Sequence, residues 1–162
     1  MFTREHLYFS DLRVGAEWVS PGRTVTQSDI VNFAGVSGDF NSIHMDHHFA
    51  ATTPFRKPVA HGLLVLSMAS GLVLNSPPTR TLAFLQILEW NFTEPVFIDD
   101  TIRVHCVVES LEERARGRRG LVTWKRQIFN QENKLVQWGR TQVLLEGLRP
   151  ITEPHPEQRT SH

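Results

Sequence analysis

The chain predicts an α+β fold in which one buried helix is wrapped by a strongly curved antiparallel sheet. Residues 62–74 are apolar on nearly every side, with Ser67 and Ser70 as polar members, so the segment lacks the one-sided stripe of a surface helix and is expected to be enclosed. From Thr81 the apolar period changes to two: Leu82, Phe84, Leu88, Trp90 and Phe92; then Ile102, Val104, Cys106 and Val108; then Val122, Trp124 and Ile128; then Val136, Trp138 and Leu144. That pattern predicts four consecutive strands. Breaks at residues 94–95, 117–120 and 130–134 make an antiparallel meander the expected connection between them.

The remaining elements follow in chain order. Residues 1–10 carry Arg4, Glu5 and His6 with no apolar run behind them, which does not read as a signal peptide. Residues 14–25 offer one more strand at the front of the sheet. Thr26 followed by Asp29, with Ile30, Phe33 and Ala34 at helical spacing, predicts a capped short helix ending near Gly35. Residues 37–42 are rich in turn formers, and Asp46 is placed to cap a second short helix running through Phe49 and Ala51 to a stop before Pro54. At the far end, Pro150, Pro154 and Pro156 lie among polar residues. Residues 1–148 are therefore expected to form one domain and residues 149–162 a loose tail.

Composition narrows the function classes. At 162 residues the chain is long enough for one domain with a substantial core, and 40% apolar with 21% charged residues is a globular profile rather than a disordered one. Seventeen Lys+Arg balance 17 Asp+Glu, so there is no basic excess to suit nucleic acid or an anionic membrane as the main partner. The longest apolar stretch falls short of a membrane span. A single cysteine, Cys106, sits in an alternating apolar run, where a buried, inert thiol is expected; with no disulfide possible within the chain, a reducing, cytoplasmic setting follows.

Two short segments carry the chemistry. Asp39 and His44 lie five residues apart, close enough to converge on one water or one acidic C–H and to exchange protons near neutral pH. Spacing alone equally describes a turn aspartate and a satisfied histidine. His61-Gly62 opens the apolar helix, where unpaired N–H groups and the positive dipole end converge, and a glycine there admits a close carbonyl. The same glycine also serves simply as a helix start.

Together these segments resemble a known family. Phe33-Ala34-Gly35-Val36-Ser37-Gly38-Asp39-Phe40-Asn41-Ser42-Ile43-His44, then Ala60-His61-Gly62-Leu63 and Ser70-Gly71, are similar to the MaoC-like dehydratases, which include the (R)-specific enoyl-CoA hydratases of hot-dog fold. The resemblance extends in order from about Arg23 to about Leu145. It implies interconversion of trans-2-enoyl-CoA and (R)-3-hydroxyacyl-CoA, with the thioester carbonyl at the Gly62 amide and Asp39 and His44 handling water at C3 and a proton at C2. Asn41 is implied to orient the loop, and Ser70 to support the dyad. Ser42 stands where the family usually has proline, whose fixed φ would stiffen that loop.

The resemblance also implies an acyl thioester partner, carried by coenzyme A or acyl carrier protein, and a homodimer or larger homo-oligomer. No cofactor is expected. Two other readings stay within reach of the fold: an acyl-CoA thioesterase, which uses the same helix start to bind a thioester carbonyl, and a non-catalytic acyl-thioester-binding subunit. Arg56 and Lys57 are either a phosphate contact for coenzyme A or an exposed pair. The run His44-Met45-Asp46-His47-His48 with His61 invites a metal site, but His47 and His48 point different ways on a short helix, and no metal is expected.

Overall fold

The computed structural model describes residues 6–148. The expected tail, 149–162, lies outside the described residues. Four long strands, β3 (Thr81–Phe92), β4 (Thr101–Arg114), β5 (Arg119–Phe129) and β6 (Leu135–Glu146), form the sheet together with two short ones, β1 (Glu17–Val19) and β2 (Arg23–Thr24). All pairings are antiparallel, in the order β1-β4-β5-β6-β3, with β2 also on β4. Four helices precede β3: α1 (Gln27–Ser37), α2 (Ser42–Met45), α3 (His47–Thr52) and α4 (Gly62–Leu72). This is the hot-dog arrangement, a sheet curved around α4.

The core explains the strand periodicity of β4 and β5, whereas in β6 the expected Trp138 and Leu144 lie outside it and Val136, Val143 and Leu145 are the inward residues. Ile102, Val104, Cys106 and Val108 of β4, Val122, Trp124 and Ile128 of β5, and Val143 and Leu145 of β6 turn inward onto Leu64, Val65, Met68 and Ala69 of α4. The β4–β5 turn places Ala115, Arg116 and Gly117 at positive φ, and the Asn130 carboxamide closes the β5–β6 turn by accepting from the Glu132 and Lys134 amides. Both breaks were expected as hairpins and are hairpins.

Four expectations are corrected. The break at residues 94–95 does not return β3 onto β4: the connecting chain is tied to the core through Ala60 N–H to the Val96 carbonyl and Asp99 N–H to the Val25 carbonyl, which carries it across the molecule, and β3 pairs with β6. Alternation identifies a strand but not its neighbour. The front strand is split in two, because Pro21 and Gly22 interrupt it. Helix α1 runs past Gly35 to a cap at Gly38, whose φ of 76° ends it in the left-handed region. Helix α4 is not fully enclosed by its own chain, since Leu63 and Ser67 are exposed.

Edge strand β3 is itself open. Leu82, Phe84, Leu85, Ile87, Leu88 and Phe92 are all exposed, on both faces of the strand.

Candidate active site

The site is built where α1 ends and α4 begins. Thr26 caps α1 through a reciprocal capping box with Asp29, as its sequence spacing predicted. At the other end Ser37 Oγ accepts from the Asp39 amide, while the Asp39 carboxylate accepts from the Asn41 amide at 3.2 Å. Asn41 in turn caps a helix the sequence reading treated as a loop: its side-chain oxygen accepts from the Ile43 N–H at 3.1 Å and starts α2. His44 therefore projects from a helical turn. Asp46 caps α3 as expected, accepting from the Phe49 amide.

His44 is buried and Asp39 half-exposed, with His44 Nε2 lying 3.8 Å from an Asp39 carboxylate oxygen. The other ring nitrogen, Nδ1, is 2.7 Å from the Val59 carbonyl. A carbonyl only accepts, so Nδ1 carries a proton and Nε2 is the ring nitrogen that faces Asp39. At 3.8 Å the two groups do not bond each other directly; the gap suits a shared water or substrate atom.

His61 stacks on His44, with ring centroids 3.8 Å apart and 29° between planes, and Phe33 closes its far side at 5.1 Å. Its Nε2 donates to the Asp39 backbone carbonyl at 2.9 Å. Its Nδ1 is buried without a partner. His61 thus clamps Asp39 to the start of α4 while orienting His44.

Gly62 is the first residue of α4, so its N–H has no partner within the helix. His44 and Gly62 line one cavity of about 690 Å³, along with Val59, Phe92, Val96 and Gln137. A Cβ at Gly62 would lie 2.7 Å from the Phe92 ring, which gives the glycine a steric reason. Gln137 is a residue the sequence reading missed. Only 2% exposed, it donates to the Gly62 carbonyl at 3.0 Å and accepts from the Trp90 indole N–H at 3.0 Å. Its one signal in the sequence is a polar residue beside the alternating apolar positions of β6.

Ser70 is not brought to the dyad. Eight residues along α4 from Gly62, its hydroxyl donates to the Leu66 carbonyl, and it lines a second cavity that shares no residue with the first. Arg56 and Lys57 are exposed next to Phe55, which lines the first cavity; Lys57 Nζ sits 4.3 Å over the Phe97 ring. His47 and His48 are exposed and do not join His44. The three groups whose donor atoms do lie within 4.8 Å of one another are Asp39, His44 and His61, and these are the ones that would hold a cation.

Comparison with known proteins identifies the family. The MaoC like domain family matches residues 13–127. A 3-hydroxybutyryl-CoA dehydratase of Methylorubrum extorquens is 40% identical over 69% of this chain and 71% of its own length. An (R)-specific enoyl-CoA hydratase of Aeromonas caviae is 35% identical over 73% of this chain and 84% of its own. A solved structure described as a monoamine oxidase regulatory protein from Archaeoglobus fulgius superimposes with a TM-score of 0.82 at 34% identity, over 92% of this chain and all of that one. With a family match over most of its length, and relatives named as hydro-lyases, the chain belongs to the MaoC-like dehydratase family.

Proposed function

We propose that the protein is an (R)-specific hydratase of trans-2-enoyl thioesters, with Asp39 and His44 as its proton-transfer pair and the Gly62 amide as its oxyanion donor. The observation that carries this reading is the orientation of the His44 ring. Its Nδ1–H is committed to Val59, so Nε2, facing Asp39 across 3.8 Å, is the only ring atom left to exchange protons in the cavity that Gly62 also lines.

The chemistry balances on these groups. Water gives its hydroxyl to C3 and a proton to the pair. The C2=C3 electrons move toward the thioester oxygen, and that developing enolate is met by the Gly62 N–H. The pair then delivers a proton to C2, the carbonyl reforms, and the pair regains its starting proton count. A preorganised donor of this kind is worth roughly 10²–10³ in rate. The two side chains serve one substrate, so proton donor and acceptor are roles of the pair.

The carrier is coenzyme A or acyl carrier protein, with Arg56 and Lys57, exposed and next in sequence to the cavity-lining Phe55, as cations for its phosphate. The functional unit is a homodimer, joined where exposed apolar β3 leaves an unpaired sheet edge. Sedimentation at twice the chain mass supports this; the mass of one chain at micromolar concentration counts against it.

Crotonyl-CoA tests the reaction class. Hydration removes the conjugated enoyl absorbance without freeing a thiol and forms (R)-3-hydroxybutyryl-CoA, and it persists in the presence of a chelator. Stoichiometric thiol release assigns a thioesterase instead, and loss of activity to a chelator assigns a metal to Asp39, His44 and His61.

A further inference from the structure

Arg126 breaks the pattern of its strand. Positions 122, 124, 126 and 128 of β5 all face inward, and three of them are apolar members of the core. At the fourth a guanidinium is only 8% exposed. Among the described residues it makes no hydrogen bond or ion pair, and its Nε is buried with no partner. One inward step along β6 from Gly139, the residue opposite Arg126, the Thr141 hydroxyl is also buried and unpartnered. Arginine keeps its proton in such surroundings, although burial pushes its pKa below the ordinary value. A charge removed from water without a counter-ion is strongly unfavourable to the fold, which makes a ligand the natural explanation for its retention.

The guanidinium lines the second cavity, about 400 Å³, at the opposite end of α4 from Gly62. Besides the Cys106 thiol, the other ionisable groups on its wall are His6, Arg80 and Glu146; Arg80 and Glu146 are nearer solvent and bond each other at 3.2 Å, so Arg126 is left as the buried cation without a counter-ion among the described residues. Trp124, Val73, Phe84 and Val143 supply apolar wall. We propose that this cavity binds a carboxylate carried on a short apolar stem, with Arg126 as its counter-ion. One guanidinium offers a fork of parallel N–H donors matched to one carboxylate, and it balances one negative charge. A phosphate dianion would need a second unpaired cation, and the other arginine of this wall, Arg80, is already paired with Glu146. The carboxylate has two possible sources: the far end of an acyl chain long enough to run the length of α4, about 15 Å from Gly62, whose last carbons form that stem, or a free short-chain acid.

Two measurements on the full chain separate these sources. The first is independent of the hydratase reading. Thermal unfolding is followed with butyrate or glutarate, using butanamide and sodium chloride at matched concentration as controls. A saturable rise in Tm, about 3 °C near ten times the dissociation constant, is expected for the native protein and not for Arg126→Met. The second rests on that reading: kcat/KM for (E)-dodec-2-enedioyl-CoA is divided by that for (E)-dodec-2-enoyl-CoA on the same preparation, so the fraction folded cancels. A native ratio that falls by about tenfold or more in Arg126→Met places the carboxylate on the substrate, because the truncated site leaves that charge unpaired. A carboxylate-dependent Tm rise with an unchanged ratio places it on a free acid.

If neither thioester reacts, the hydratase reading fails and the thermal measurement alone decides this proposal. Absence of both effects in the native protein overturns it. Without ligand, Arg126→Met is expected to unfold at a higher temperature than the native chain, since an unpaired buried charge has been removed. A sharp fall in Tm instead, with no ligand effect, makes Arg126 a structural residue and also overturns the proposal. Arg126→Lys, which keeps the charge but not the fork, serves if the methionine variant does not fold; it is expected to show a weaker ligand shift, and a shift equal to the native one counts against recognition by the guanidinium.

Discussion

Gln137 Nε2 donates to the Gly62 carbonyl at 3.0 Å, across 75 residues of chain, and this bond ties β6 to the first turn of α4. The same carboxamide accepts from Trp90, so one buried side chain braces the amide proposed to hold the thioester oxygen. In Gln137→Leu both the Trp90 N–H and the Gly62 carbonyl lose this partner, and buried groups left in that state cost about 1–3 kcal/mol. A fall in Tm of several degrees is expected, together with a drop in kcat larger than any change in KM, because the oxyanion donor is displaced. Unchanged unfolding and turnover would show that the brace carries no weight.

Gly62→Ala brings a methyl group to 2.7 Å from the Phe92 ring. Phe92 is exposed and on an edge strand, so it yields more readily than the helix does. Hydratase activity is expected to fall by about tenfold or more as the start of α4 shifts. Part of that loss should return in Gly62→Ala with Phe92→Leu, which gives the methyl room. A double variant no better than the single one would locate the damage elsewhere.

Asp39→Asn and His44→Gln are each expected to lower hydration by about 10²–10⁴-fold, with circular dichroism unchanged. The double variant should be little worse than either alone, as groups acting as one unit are not additive. Near-native turnover in either single variant removes the pair from the mechanism.

The cap of α1 predicts a pH effect. Burial alone would raise the Asp29 carboxyl, but hydrogen bonds from the Thr26 amide and hydroxyl and the Arg23 guanidinium outweigh it and hold the group below its usual range. A folded pKa below the unfolded one stabilises the fold above the unfolded value, and that contribution is lost as pH falls through the folded one. Asp29→Asn should therefore destabilise by about 1 kcal/mol at pH 7, the worth of an ordinary cap, with the difference shrinking as pH falls below the ordinary carboxylate value of about 4. A difference that stays constant over this range would exclude the carboxylate as its source.

Burial pushes the Cys106 thiol up to about 11, with Arg126 opposing that rise. At pH 8 the group is thus a thiol, not a thiolate, and a disulfide reagent should react with it only after denaturant is added. Stoichiometric labelling of the folded protein would contradict this. In Arg126→Met the opposing charge is gone, and labelling should be no faster.

The sequence by itself determined most of the elements and the family to which the chain belongs. Period-two alternation is a local property, so β4, β5 and β6 were legible together with the hairpins between them. The Thr26 and Asp46 caps were legible for the same reason, since a cap acts over three residues. Asp39, His44 and Gly62 stood out once their segments were seen to resemble a family. Tertiary structure alone decided what depends on distant partners. It placed β3 on β6, because a pleated strand shows which face is buried but not which edge it will meet. It brought Gln137 to Gly62, stacked His61 on His44, moved Ser70 to the other cavity and left Arg126 without a counter-ion. Each of these is a contact between positions far apart in the chain, set by the curvature of the sheet around α4, and no local pattern of residues encodes it.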